Sequence, residues 1–228
     1  WLSEIILQQT RVSNGLVYYH NFLKVFPDVA SLAAARETSV LKQWQGLGYY
    51  TRARNIHRAA KIIVSRHNGK IPAGYDDLIS LPGIGEYTAA AILSFAFNKP
   101  FAVTDGNVFR VLSRYFGIRT TIDSQAGKKR FSNLSQSLLD LKKPALFNQA
   151  IMEMGALQCV PRNPDCRKCC LKKGCYAFKH QKSDLFPIKS SKVPVKKRYL
   201  NYLVFSDGKR LPVIRRTGKD IWRGLFDL

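Results

Sequence analysis

All five cysteines of this 228-residue chain fall between positions 159 and 175, and the first 158 residues have none. No other feature limits the fold as much. A disulfide framework spreads its cysteines over distant parts of a chain, whereas a cluster in one short loop points to a metal site in a reducing compartment. The spacing is Cys159-x6-Cys166-x2-Cys169-x5-Cys175, with Cys170 directly after the third position. Four thiolates this close suit a zinc ion or a 4Fe-4S cluster, both of which take four cysteines. The spacing lacks the longer span that usually separates paired zinc-finger ligands. Cys170 could replace Cys169 and give x3-x4 spacing, but it is read as a bystander turned away from the other four.

Ahead of the cysteine loop the chain reads as helix after helix. Apolar residues recur at helical spacing, as in Ile5, Ile6, Val12 and Leu16 and again in Ala59, Ile62 and Ile63. Glycine and proline punctuate the pattern at Gly46, Gly48, Pro72, Pro82, Gly83, Gly85, Pro100 and Pro144. Roughly ten short helices and almost no strand are expected over residues 1–158. Residues 179–198 carry seven Lys/Arg with Pro187 and Pro194 and read as a basic linker. Beyond it the period shortens: Tyr199–Phe205 and Leu211–Arg215 read as strands joined by a turn at Ser206-Asp207-Gly208-Lys209. The chain begins at Trp1 inside a helical pattern and ends at Leu228 just after a strand-like segment, so both ends are expected to be cut. Targeting signals could then lie outside it.

Lys and Arg number 37 against 15 Asp and Glu, a formal charge of +22. That surplus favours a polyanionic partner, above all nucleic acid, over a merely solvated basic surface. No apolar run approaches the ~18 residues of a membrane span, so no membrane partner is expected.

Leu81-Pro82-Gly83-Ile84-Gly85 lies between helical stretches at Asp76–Ser80 and Glu86–Phe97. Glycines there let backbone N–H groups approach a phosphate at a helix N-terminus, although alone they mark an ordinary helix–helix turn equally well. Asp105, eighteen residues beyond Tyr87, stands in Val103-Thr104-Asp105-Gly106-Asn107-Val108 and also suits the N-cap of a helix over Asn107–Arg114.

Together these motifs resemble the helix-hairpin-helix DNA glycosylases of the endonuclease III superfamily, and within it the MutY-type adenine glycosylases. The resemblance covers nearly the whole chain. It includes Trp1 to Thr10, Gly46 to Tyr50 with Arg52 to Asn55, Phe147 to Ala150, and the cysteine spacing. Trp222-Arg223-Gly224-Leu225-Phe226 looks like the beginning of a MutT-like domain. It implies an all-α glycosylase fold: a six-helix domain over 1–113 with the hairpin at 81–89, whose first residues pack with the next domain. A 4Fe-4S cluster domain over 114–178 follows, then the linker 179–198 and the start of a β-containing domain over 199–228. Cys159, Cys166, Cys169 and Cys175 would be the cluster ligands.

The family further implies a monomeric, monofunctional enzyme that hydrolyses the N-glycosidic bond of adenine opposite 8-oxoguanine or guanine in double-stranded DNA. It would be cytoplasmic and nucleoid-associated if bacterial. Endonuclease III-type relatives carry a Schiff-base lysine where Tyr87 stands here, and a Thr-His pair where Gly106-Asn107 follows Asp105. Glu4 would protonate the departing base, Asp105 would stabilise the sugar cation, and Tyr87 and Asn107 would position them. Gln9 and Tyr49 would form a wedge that fills the gap left by the flipped base, with core packing the alternative for Tyr49. Pro82, Gly83, Ile84 and Gly85, together with Arg52, Arg54, Arg162, Arg167 and Lys168, would grip phosphates. Two rivals stand beside this reading: a bifunctional glycosylase/lyase and a catalytically inactive DNA-binding module.

Overall fold

The computed structural model describes residues 1–190, 197–218 and 222–227. The first helices are α1 (Leu2–Ile6), α2 (Val12–Val25), α3 (Val29–Ala34), α4 (Glu37–Gln43) and α5 (Thr51–His67). The second group is α6 (Tyr75–Ser80), α7 (Glu86–Phe97), α8 (Gly106–Phe116), α9 (Gln125–Leu138), α10 (Pro144–Glu153) and α11 (Tyr176–Lys179). Ten of these precede Cys159, and no strand is assigned there, as the apolar periodicity predicted.

Local chemistry sets the ends. Asp28 and Ser31 form a reciprocal capping box on α3. Helices α5, α7 and α8 stop at left-handed Asn68, Asn98 and Gly117, and Pro144 opens α10. Thr88 to Ser94 are all buried, so α7 is a central helix covered on every side. One core gathers Ile5, Ile6, Phe22, Trp44 and Ile56 under α1, α2, α4 and α5. A second joins α5 to the hairpin through Ala59, Ile63, Leu81, Ile84 and Leu93. A third, with Val108, Leu112, Ile118 and Phe131, sits beneath α8 and α9.

The C-terminal part departs from the sequence reading. Tyr199–Phe205 forms no strand, and its apolar side chains, among them Tyr199 and Leu203, are exposed. The turn at Ser206 to Lys209 is present, with Asp207 Oδ1 accepting from the backbone of Lys209 and Arg210. The strands are β1 (Ile214–Arg215) and β2 (Phe226–Asp227), paired antiparallel. A two-residue hairpin strand buries too little apolar area to set its own partner. Part of residues 179–198 is packed: Phe186 is buried, and Asp123 accepts hydrogen bonds from the backbone and hydroxyl of Ser190. Pro194 lies outside the described residues. Among the described residues no helix is long and apolar enough to cross a membrane.

Candidate active site and cysteine-lined cavity

Glu4 stands in α1, Tyr87 in the first turn of α7, and Asp105 at the N-cap of α8. Helix α1 packs on the buried α7, and α10 packs on both α7 and α8, which puts Glu4 and Asp105, 101 residues apart in sequence, within electrostatic reach of Tyr87. Burial pushes the Tyr87 hydroxyl above the usual tyrosine range, and the charges of Glu4 and then Asp105 push it further. Both carboxyls are therefore close enough to act on one phenol. Burial also raises the Glu4 carboxyl above its ordinary value, against a smaller opposing pull from the Trp1 amino group.

Asp105 is held on both oxygens. Oδ1 accepts from the backbone N–H of Asn107 (2.9 Å) and Val108 (2.8 Å), and Oδ2 accepts from Asn107 Nδ2 at 2.7 Å. Asn107 Oδ1 in turn accepts from Arg110 Nη2 at 2.8 Å. Arg110 also donates to Gly155 O (2.6 Å) and Cys159 O (2.6 Å), which joins α8 to the π-turn Met154–Gln158. On the other side, buried Asn148 accepts from Val103 N (3.0 Å) and donates to Phe101 O and Ser94 Oγ (2.8 Å each). Asn148 thus fixes the extended segment that delivers Asp105.

Cys159, Cys166, Cys169 and Cys175 line one cavity with Arg114, Gln158, Pro164 and Phe178, while Cys170 is exposed and outside it. Arg114 holds the loop from within, donating to Cys159 Sγ (3.4 Å), Val160 O (2.8 Å), Pro161 O (3.1 Å) and Ser183 O (3.0 Å). Among the described residues no three His, Cys, Asp or Glu side chains are placed to hold a single metal ion. The four cysteines share the lining of that one cavity. Four thiols are the donor set that a zinc ion or a 4Fe-4S cluster takes.

The expected DNA contacts divide. Gln9 and Tyr49 are exposed, Tyr49 by 63%, which removes core packing as the account of Tyr49; Tyr50 is the one that packs. Both Gln9 (φ 57°) and Tyr49 (φ 49°) adopt left-handed backbone, uncommon for residues with side chains. Arg162, Arg167 and Lys168 are exposed on the cysteine loop.

Arg52 departs from its expected phosphate role: it is buried, and its guanidinium faces backbone carbonyls. Arg54 pairs with Glu37 at 3.3 Å and packs under Gly224. Pro82, Gly83 and Gly85 are at least partly accessible at the hairpin, but the Ile84 side chain is buried and its N–H donates to Leu81 O. Gly83 has φ 82° and lies so near Asn55 that a Cβ there would come within 2.8 Å. Sequence reasoning gave no role to Arg110, Arg114 or Asn148. The readable signal was two arginines four residues apart on the face of α8 that also carries its apolar residues.

Residues 2–137 match the HhH-GPD superfamily of base excision DNA repair proteins. An adenine DNA glycosylase of Buchnera aphidicola (Schizaphis graminum) is 38% identical over 226 residues, 99% of this chain and 65% of that protein. A human adenine DNA glycosylase is 40% identical over 178 residues, 78% of this chain and 33% of that protein. The chain therefore spans about two thirds or less of these relatives. Among solved structures, a thermostable thymine-DNA glycosylase superposes with a TM-score of 0.72 at 28% identity, covering 78% of this chain and 82% of the other. An endonuclease III–DNA complex shares the fold at a TM-score of 0.69 and 21% identity, over 79% and 83% of the two chains.

Proposed function

The chain belongs to the HhH-GPD superfamily of base excision DNA repair proteins, and on that premise we propose that it is a monofunctional adenine glycosylase. Its substrate would be double-stranded DNA with adenine opposite 8-oxoguanine or guanine. The observation that carries the reading is the pair Glu4 and Asp105, both acting on Tyr87.

The target base is stacked in the duplex and must be flipped out to be reached. Adenine leaves poorly as an anion. Glu4, whose carboxyl is raised above its ordinary value by burial, donates its proton to N7 while the bond from N9 to the sugar breaks with its electron pair going to the base. The Asp105 carboxylate, fixed by Asn107, faces the developing sugar cation and stabilises it. Water then adds to the anomeric carbon and loses a proton to the Glu4 carboxylate, which restores the acid. Tyr87 fills the place where an amine would open a lyase pathway.

Cys159, Cys166, Cys169 and Cys175 would hold a 4Fe-4S cluster, which when bound ties residues 159–175 into one crosslinked loop. That loop offers Arg162, Arg167 and Lys168 to phosphates. The hairpin backbone at Gly83 and Gly85 offers a second phosphate contact at the start of α7. Gln9 and Tyr49 form the wedge. Residues 199–228 belong, on this reading, to a β-containing MutT-like domain, supported by the Trp222 to Phe226 motif and the β1–β2 pair.

The test is single-turnover excision on 8-oxoguanine:adenine and guanine:adenine duplexes, analysed with and without alkali. Adenine release with strand breaks only after alkali is expected. Breaks without alkali would make the protein a lyase, and duplex binding with no adenine released would make it a binding module.

A further inference from the structure

We infer that Arg52 is a positioning residue that locks the Gln8–Thr10 and Leu47–Tyr49 loops into one support, so that Gln9 and Tyr49 meet DNA as a single rigid wedge. This rests on the wedge reading of those two residues given above.

Arg52 is in the first turn of α5 and is buried. Its Nη1 lies within hydrogen-bond distance of Ile5 O (3.1 Å), Ile6 O (2.8 Å), Gln8 O (2.5 Å) and Thr10 Oγ1 (3.4 Å). Its Nη2 reaches Leu47 O and Gly48 O, both at 3.3 Å. The first set comprises the unpaired carbonyls where α1 ends and the loop that follows, 42 to 47 residues away in sequence. The second set belongs to the loop just ahead of α5. One planar fork therefore bridges two segments that share no helix or sheet.

The rings of Trp44 and Tyr49 flank the same guanidinium at 5.3 and 5.5 Å. Trp44 is itself fully buried and donates to Gly48 O at 3.1 Å. Gln8 Nε2 ties the first loop to α7 through Thr88 Oγ1 at 3.3 Å.

The need for such a brace follows from the backbone. Gln9 and Tyr49 are both left-handed, a conformation that side-chain-bearing residues hold only when their surroundings over-determine it. An unbraced loop would relax to ordinary backbone and swing the wedge side chain away. The same contacts exclude direct phosphate binding, because the guanidinium faces inward. A lysine cannot substitute: it offers one nitrogen where the site uses two nitrogens in a fixed plane.

The experiment compares single-turnover excision of adenine from a fully paired mispair duplex and from an unpaired bubble of the same sequence, using the 228-residue chain. Both rates come from one preparation, so their ratio does not depend on how much of a variant folds. A wedge lowers the cost of unstacking, which the bubble does not demand. Arg52→Lys and Arg52→Met should each lower the duplex-to-bubble ratio by at least tenfold, and Tyr49→Ala should do the same. Adding Tyr49→Ala to Arg52→Met should lower it little further, since both act through one element.

Equal losses on both substrates would overturn the inference and leave Arg52 a general fold residue. Rescue by Arg52→Lys, with the remaining loss growing as salt rises, would overturn it in favour of phosphate contact. A Tyr49→Ala protein with an unchanged ratio would sink the wedge reading itself and the inference with it. That outcome differs from failure of the brace alone, in which Tyr49→Ala lowers the ratio and the Arg52 variants do not.

Discussion

The side-chain amide of Asn107 donates to Asp105 Oδ2 at 2.7 Å, leaving the other Asp105 oxygen to cap α8 through two backbone N–H groups. The same carboxylate thus starts a helix and, with Glu4, lies within electrostatic reach of Tyr87. Its orientation is fixed before any substrate arrives, which is what electrostatic stabilisation of a short-lived cation requires.

That double role separates stability from chemistry. Asp105→Asn keeps a good N-cap, so unfolding free energy in urea should change by less than about 1 kcal/mol. Single-turnover excision should fall on the order of 10² to 10³-fold, because the charge facing the sugar is gone. Excision by Asp105→Asn at a near-normal rate would mean that Asp105 acts only as a cap.

Glu4 must be protonated to act. Its carboxyl is raised by burial, so the acid form persists above the usual glutamate range. Excision should then fall about tenfold per pH unit once pH exceeds the raised value. The folded state binds this proton more tightly than the unfolded chain, so the linked stability is present below the unfolded value and lost as pH rises through the folded one. Glu4→Gln should therefore abolish excision, retain duplex binding, and melt higher than the parent at neutral pH. Excision by Glu4→Gln at a near-normal rate would remove Glu4 from its role.

Gly155 sits in the π-turn against α8, where an added Cβ would come within 2.6 Å of Asn107 Cβ and 2.8 Å of Asn107 O. Backbone cannot yield as a side-chain tip can. Gly155→Ala should destabilise the fold by roughly 1–3 kcal/mol and, by shifting Asn107, slow excision more than it weakens duplex binding. Chemical denaturation and single-turnover rates on the same samples check both parts.

The cysteines should sort by the cavity they line. Ser at Cys159, Cys166, Cys169 or Cys175 should lower bound iron and sulfide and the visible absorbance of the purified protein. Ser at exposed Cys170 should leave all three as in the parent. Loss of iron on changing Cys170, with none on changing Cys169, would reverse the ligand assignment.

The parts of the molecule legible in the sequence are those governed by neighbours along the chain. Helix after helix before Cys159, the hairpin between α6 and α7, and Asp105 as the cap of α8 all follow from periodicity, glycine and proline placement, and capping chemistry. The cysteine spacing left Cys169 and Cys170 interchangeable and the family resemblance chose Cys169; in the fold Cys169 lines the cavity and Cys170 is exposed. The Tyr199–Phe205 segment shows the limit of that logic. Alternation marked a strand, but a strand is stable only with a partner, and the pairing found is Ile214–Arg215 with Phe226–Asp227.

Arginine roles were decided elsewhere. Arg52, Arg54, Arg110 and Arg114 look alike in a basic sequence, where a charge reads as solvated or facing phosphate. Three of them are buried, and Arg54 is paired with Glu37. What each one does depends on where carbonyls from distant segments converge, as Ile5, Gln8 and Leu47 do on Arg52 and Gly155 and Cys159 do on Arg110. The sequence determined which chemical groups this protein has and the helices that carry them. Only the tertiary structure decided which charges are spent on the protein's own backbone, because desolvation and unpaired carbonyls are properties of packing between segments far apart in the chain.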